Sequence, residues 1–142
     1  MQSARGSAAP QFVLDASALI GFFEDRSGAA KVRHLMELAF RTDVPLLLSA
    51  INWGEVFYVT WRQHGAATAY KAESKLHQLP VAVIGVDQER ATRAAALEQK
   101  HGLGYADAFA AELAIERSAR LVTADPEFAK LGKPLAVYSL PR

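Results

Sequence analysis

Four acidic side chains interrupt apolar patterns in this chain: Asp15 in "FVLDASALIGFF", Glu55 in "AINWGEVFYVTW", Asp107 in "YADAFAAELAIE" and Asp125 in "RLVTADPEF". An ionised carboxylate set among buried apolar side chains is costly unless something neutralises it. Four of them drawn into one pocket repel one another, so either their pKa values rise or a multivalent cation holds them together. The chain has no cysteine, and its histidines show no metal-ligand spacing such as HExxH. A site built from oxygen donors alone suits magnesium, with manganese as its substitute. The chemistry such ions serve best is phosphodiester hydrolysis, because they lower the pKa of a bound water and offset charge on the phosphoryl group.

Each acid also has a plainer reading. Asp is a favoured N-cap, accepting from the free N–H groups of the next helix. Asp87 in "DQER" fits that role and no other. Asp125 is followed by Pro126, an ordinary helix start, so capping and chemistry compete evenly there. Asp15 differs, because Ala16, Ala18, Leu19 and Ile20 set its carboxylate beside the core. Glu55 shares a helix face with Ile51 and Val59, four residues to either side. A capping box would instead make Asn52 the N-cap with Glu55 reaching back to it, although Ser49 is an equally good cap. Asp107 lies in line with Ala110, Ala111 and Ala114, or complements the dipole of its own helix. Glu112 and Glu116 read as residues of a solvated face.

The elements that must position these acids alternate between β and α. Short, almost continuously apolar runs at 11–15, 45–50, 81–87, 120–125 and 135–140 read as strands covered on both faces. Segments of helical spacing lie between them, with Gly65 and Gly102 as C-terminal stops. That alternation predicts a parallel sheet flanked by helices, in which sites form outside the carboxyl ends of the strands. Asp15, Asp87 and Asp125 occupy such ends. Two helices ahead of the strand at 81 suggest a protruding hairpin.

With 142 residues, 51% of them hydrophobic, the chain has material for one core. One domain is expected over residues 12–142, after a flexible lead-in at 1–11 that lacks the apolar region of a signal peptide. No run reaches the ~20 apolar residues that cross a bilayer, so no membrane association is expected. The lack of cysteine fits a reducing cytoplasm. A net charge of +1 excludes a large general field for polyanions, so any such binding must come from local clusters. His34, His64, His77 and His101 are expected at the surface, and "GLG" at 102–104 is a connector rather than a dinucleotide loop. Trp53, Phe57 and Trp61 recur at helical spacing as core or as an interface edge.

"VLDASALI", "EVFYV", "YADAFAAELA" and "LVTADPEF", in this order, resemble the acidic motifs of PIN-domain ribonucleases, from about residue 12 to the C-terminus. The chain's length is similar to that of VapC toxins of bacterial toxin–antitoxin pairs. The resemblance implies a three-layer α/β/α fold with a five-stranded parallel sheet of order 3-2-1-4-5. It implies a Mg²⁺-dependent endoribonuclease with Asp15, Glu55, Asp107 and Asp125 as metal-binding acids and Ser17 and Thr123 as supporting hydroxyls. It further implies RNA as substrate, a cognate antitoxin as partner, a homodimer, and contact with DNA only through the antitoxin. Because such a pocket is itself negative, rim cations would draw the RNA, with Arg26, Lys31, Arg33, Arg41 and Arg62 as candidates. The competing reading is an interaction module that acts mainly by binding the antitoxin; retention of all four acids weighs against it. A phosphate-transfer receiver is disfavoured, since Asp15 has no acidic neighbour within two residues.

Overall fold

The structure, a computed structural model, describes residues 10–142; most of the lead-in expected at 1–11 lies outside them. Five strands, β1 (Phe12–Leu14), β2 (Leu46–Ser49), β3 (Val81–Ile84), β4 (Arg120–Thr123) and β5 (Ala136–Ser139), form one sheet in the order β3-β2-β1-β4-β5. All four pairings are parallel, and Val13 is in register with Leu47 on one side and Leu121 on the other. This is the three-layer fold and strand order expected from the sequence. The strands are shorter than the apolar runs that announced them.

Side-chain alternation divides the core between the two faces of the sheet. Phe12, Leu14, Leu46, Leu48 and Val122 pack on one face with α1 (Ala16–Phe23), α2 (Ala29–Thr42) and Val56 of α3 (Ala50–His64). Val13, Leu47 and Leu121 pack on the other with α6 (Tyr105–Glu116), supported by α5 (Gln88–His101). Leu14 is fully buried at the centre of the first cluster, so Leu14→Ala would cost about 2–5 kcal/mol. Gly65 (φ +91°) and Gly102 (φ +69°) close α3 and α5, as their positions suggested.

Two expectations are corrected. The helix pair ahead of β3, α3 and α4 (Ala66–Leu76), is not exceptional, because β1–β2 and β3–β4 are also joined by two helices each. Glu112 does not face solvent: it is 2% exposed, and it accepts from Arg90 Nη1 (2.9 Å) and Arg93 Nε (2.9 Å). The α5–α6 contact buries that face, and only side chains from α5, out of sight of the local pattern, make its charge tolerable. Glu116 does remain exposed.

Candidate functional site

Asp15 ends the central strand, where the backbone turns directly into α1, so its side chain is trapped between sheet and helix at 2% exposure. It is both a cap and a member of the acid group: Oδ1 accepts from the Ala18 N–H (2.9 Å) and from Ser17 Oγ (2.7 Å). Thr123 Oγ1, at the end of neighbouring β4, donates to Oδ2. A carboxylate offers about four acceptor directions, so Oδ2 keeps one for a further partner. Ser17 Oγ also accepts from the Ala124 N–H (3.1 Å), and Thr123 Oγ1 from the Asp125 N–H (2.9 Å). These bonds hold β1, α1 and the end of β4 as one unit. Both hydroxyls named from the sequence therefore touch Asp15.

Asp125 caps the short 3₁₀ helix Pro126–Leu131, accepting from the Glu127 N–H (2.9 Å). The capping reading holds, and the charge of Asp125 also raises Asp15 and Asp107. Glu55 lies in the second turn of α3 and Asp107 in the first turn of α6, and those helices pack against each other. No capping box forms: Ser49 is the N-cap, accepting from the Ile51 N–H (3.2 Å). Asn52 is instead wholly buried, and its Nδ2 donates to the carbonyl of Ala106 (3.0 Å). That bond ties α3, one turn before Glu55, to the residue preceding Asp107. The sequence pattern did not single out Asn52 for this; a buried amide inside an otherwise apolar helix face was the available signal.

Electrostatics link the group. Asp15 is raised from 3.8 to about 6, chiefly by burial, against the lowering effect of the Thr123, Ser17 and Ala18 donors. Asp107 is raised to about 6, first by burial and then by the charges of Asp15 and Asp125. Glu55 is raised by burial and by Asp107. Among the described residues none of the four acids pairs with a Lys, Arg or His. An anionic group with no cation to balance it is thus gathered at the carboxyl ends of β1 and β4, while Asp87 only caps α5.

These donors are all oxygen, the chemistry preferred by hard divalent ions. Among the described residues no group of three or more His, Cys, Asp or Glu side chains is placed to hold a metal ion between them. Magnesium as a rule keeps several waters and takes only one or two carboxylates together with substrate oxygens.

Of the five candidate rim cations, Arg26 alone lines the cleft beside Ser17 and Asp125. Lys31 lies over the Tyr138 ring, Arg33 is 3.9 Å from Asp25, and Arg62 bonds Tyr58. His34, His64 and His77 are exposed and His101 is half-buried. Trp53, Phe57 and Trp61 form a chain of ring contacts joined by Tyr70 from α4. Trp61 is 47% and Tyr70 55% exposed, which places the outer end of that stripe on the surface.

Residues 12–134 match the PIN domain family, and the chain belongs to that family. No curated protein matches it significantly. Among solved structures it is similar to a toxin–antitoxin complex from Klebsiella pneumoniae, at 26% identity and TM-score 0.65, covering 92% of this chain and 97% of that one. It is similar to the DNA-bound VapBC of Salmonella typhimurium at 15% identity and TM-score 0.71, covering 92% and 98%. VapC20 of Mycobacterium tuberculosis, a sarcin–ricin loop cleaving toxin, aligns at 17% identity and TM-score 0.64, covering 85% and 95%. The last two likenesses are of fold alone.

Proposed function

We propose that this PIN domain is a VapC-type toxin: a Mg²⁺-dependent endoribonuclease that hydrolyses RNA phosphodiester bonds at the group formed by Asp15, Glu55, Asp107 and Asp125. The observation that carries this reading is the missing counter-charge. Asp15 is buried, two carboxylates act on Asp107, and no basic side chain among the described residues neutralises any of the four. An external cation would bring the raised pKa values of Asp15 and Asp107 back down and let the group stay ionised at neutral pH.

Asp15 and Asp107 would hold the ion, with Glu55 and Asp125 acting on its water shell. Bound there, the ion would lower the pKa of a water and offset charge on the phosphoryl group. Ser17 and Thr123 keep the Asp15 carboxylate in a fixed orientation. Asn52 fixes the start of α6, and with it Asp107, against the helix that carries Glu55. The chain then needs no separate general base, because the acids only have to position water in line with the scissile bond.

A cognate antitoxin is the proposed partner and contact with DNA would run through it, consistent with the neighbours solved as toxin–antitoxin complexes, one of them on DNA. The exposed end of the aromatic stripe suits an amphipathic helix of such a partner. A homodimer and a cytoplasmic location belong to the same reading; among the described residues no helix is long and apolar enough to cross a membrane. The test is incubation of the purified protein with total RNA in Mg²⁺ or in EDTA, with mapping of the cut sites. Cleavage lost in EDTA and restored by Mg²⁺ supports the reading, whereas cleavage that persists in EDTA removes its metal step.

A further inference from the structure

A cleft of about 340 Å³ opens directly beside the acid group, within the range of about 300–1,000 Å³ typical of ligand sites. Ser17 and Asp125 line it on the acid side, Arg26 and Arg142 are the two basic residues that line it, and Pro141 with the edge of Leu140 supplies an apolar surface. A smaller hollow of about 140 Å³ shares Asp125, Leu140 and Arg142, so the depression continues past Arg142.

The wall formed by residues 140–142 is built in. The Leu140 N–H donates to the Thr123 carbonyl (2.8 Å), which joins the wall to the strand that supports Asp15. Ser27 Oγ donates to the main-chain oxygen of Arg142 (2.7 Å). Gly28 allows the close approach, because a Cβ there would stand 3.1 Å from Leu140 Cβ and 3.4 Å from the Pro141 oxygen. Arg26 is held by Glu24, with Nε and Nη2 both donating to Oε1 (3.1 and 2.7 Å), which leaves Nη1 for a further acceptor. Among the described residues Arg142 has no acidic partner.

Two guanidiniums over an apolar surface match the two halves of a nucleotide. Guanidinium binds phosphate oxygens in a fork, and the sugar and base offer flat, weakly polar faces. We propose that this cleft seats one nucleotide of a single-stranded RNA next to the bond that is cut. Arg26 and Arg142 take its phosphate, and Leu140 and Pro141 lie against its sugar and base. The proposal rests on the ribonuclease reading of the acid group and adds the place where the chain is gripped. It also explains how a strongly anionic centre tolerates a polyanion: the cations stand on one flank, outside the acids.

The test measures binding separately from cleavage. In the Asp107→Asn background, a 5′-fluorescein-labelled single-stranded RNA hexamer of mixed sequence is titrated by anisotropy at several salt concentrations. Arg26→Ala with Arg142→Ala should weaken binding about tenfold or more and lower the slope of log K against log salt by about 1.4, roughly 0.7 for each lost phosphate contact. Gly28→Val, which displaces the wall and Arg142 with it, should reproduce much of that loss together with about half of the fall in slope, roughly 0.7 for the one phosphate contact. Arg33→Ala with Arg41→Ala, which removes two cations that do not line the cleft, should bind within twofold of the parent. Hexamer binding unchanged by loss of Arg26 and Arg142, or weakened equally by loss of Arg33 and Arg41, overturns the proposal. The two readings fail separately. RNA cleavage in Mg²⁺ with binding indifferent to Arg26 and Arg142 removes the cleft alone, whereas arginine-dependent binding by a wild-type protein that cuts no RNA removes the nuclease alone.

Discussion

Helix α6 carries two inward acids that met opposite fates. Glu112, 2% exposed, is matched by two guanidiniums from α5. Asp107, one and a half turns earlier, is surrounded by the charges of Asp15, Asp125 and Glu55 and has no cation among the described residues. The first arrangement is self-sufficient: it crosslinks α5 to α6 and asks nothing of solvent. The second is incomplete by construction. A buried acid is therefore informative about function only through what stands opposite it.

Substitutions should separate the two sites. Asp107→Asn or Asp15→Asn should lower RNA cleavage by a factor of about 10² to 10³, the loss of several kcal/mol of transition-state stabilisation. The folded state should be kept or slightly stabilised in EDTA, since Asn caps α1 as well as Asp does and relieves repulsion. Cleavage at the wild-type rate by either variant would remove that residue from the site. Glu112→Ala should do the reverse. It leaves Arg90, whose side chain is 13% exposed, with only the long contact to Glu116 (3.5 Å), and should lower stability by about 3 kcal/mol, the low end for breaking a buried pair, since Arg93 is half-exposed. Cleavage per folded molecule should not change. Chemical denaturation and single-turnover cleavage measured on the same samples check both halves.

The pH dependence sharpens the contrast. A carboxyl raised from 3.8 to about 6, as Asp15 and Asp107 are, binds its proton more tightly in the folded state than in the unfolded one. The metal-free protein should therefore gain stability as pH falls from 7.5 towards 4, and lose it again as pH rises through about 6. For Asp15 the difference amounts to about 3 kcal/mol at ~1.4 kcal/mol per pH unit, with a smaller part from half-buried Asp107. Mg²⁺ competes with the same protons, so it should raise the Tm at pH 7.5 and have little effect at pH 5. In Asp15→Asn the pH-dependent gain should shrink. An unchanged pH response in that variant would show that Asp15 is ionised without penalty.

The sheet was legible because its strands are nearly continuous apolar runs bounded by polar turns, and the helices because glycines stop them. The acids were legible as breaks in those patterns, and Asp15 most of all, since the residues after it had to be buried. Legibility ended where a partner comes from distant sequence. Glu112 looked solvated because Arg90 and Arg93 lie on another helix. Asn52 reads as a cap in the local pattern because its acceptor, the Ala106 carbonyl, is 54 positions away. Arg142 carried no signal at all: a single arginine after a short strand has no periodicity, and only Gly28 and Ser27, far upstream, give it a position.

The finest test concerns the hydroxyl shared between two strands. Thr123 Oγ1 donates to Asp15 Oδ2 and accepts from the Asp125 N–H (2.9 Å), so one atom sets the orientation of Asp15 and the start of the 3₁₀ helix. Thr123→Val keeps the β-branch but removes both bonds. The donor that lowers the Asp15 pKa disappears while burial remains, so the carboxyl should titrate at still higher pH. Metal affinity and cleavage at pH 7 should fall by about tenfold, the size of effect seen when a supporting hydrogen bond to a ligand is lost, and activity should recover as pH rises. Thr123→Ser, which keeps the hydroxyl, should restore most of it. A purely structural role for Thr123 would lower stability in the valine variant but leave the acid limb of the activity profile where it was. A displaced limb with rescue by serine would mean that the hydroxyl acts through the ionisation of Asp15, the property in which this site differs from the one at Glu112.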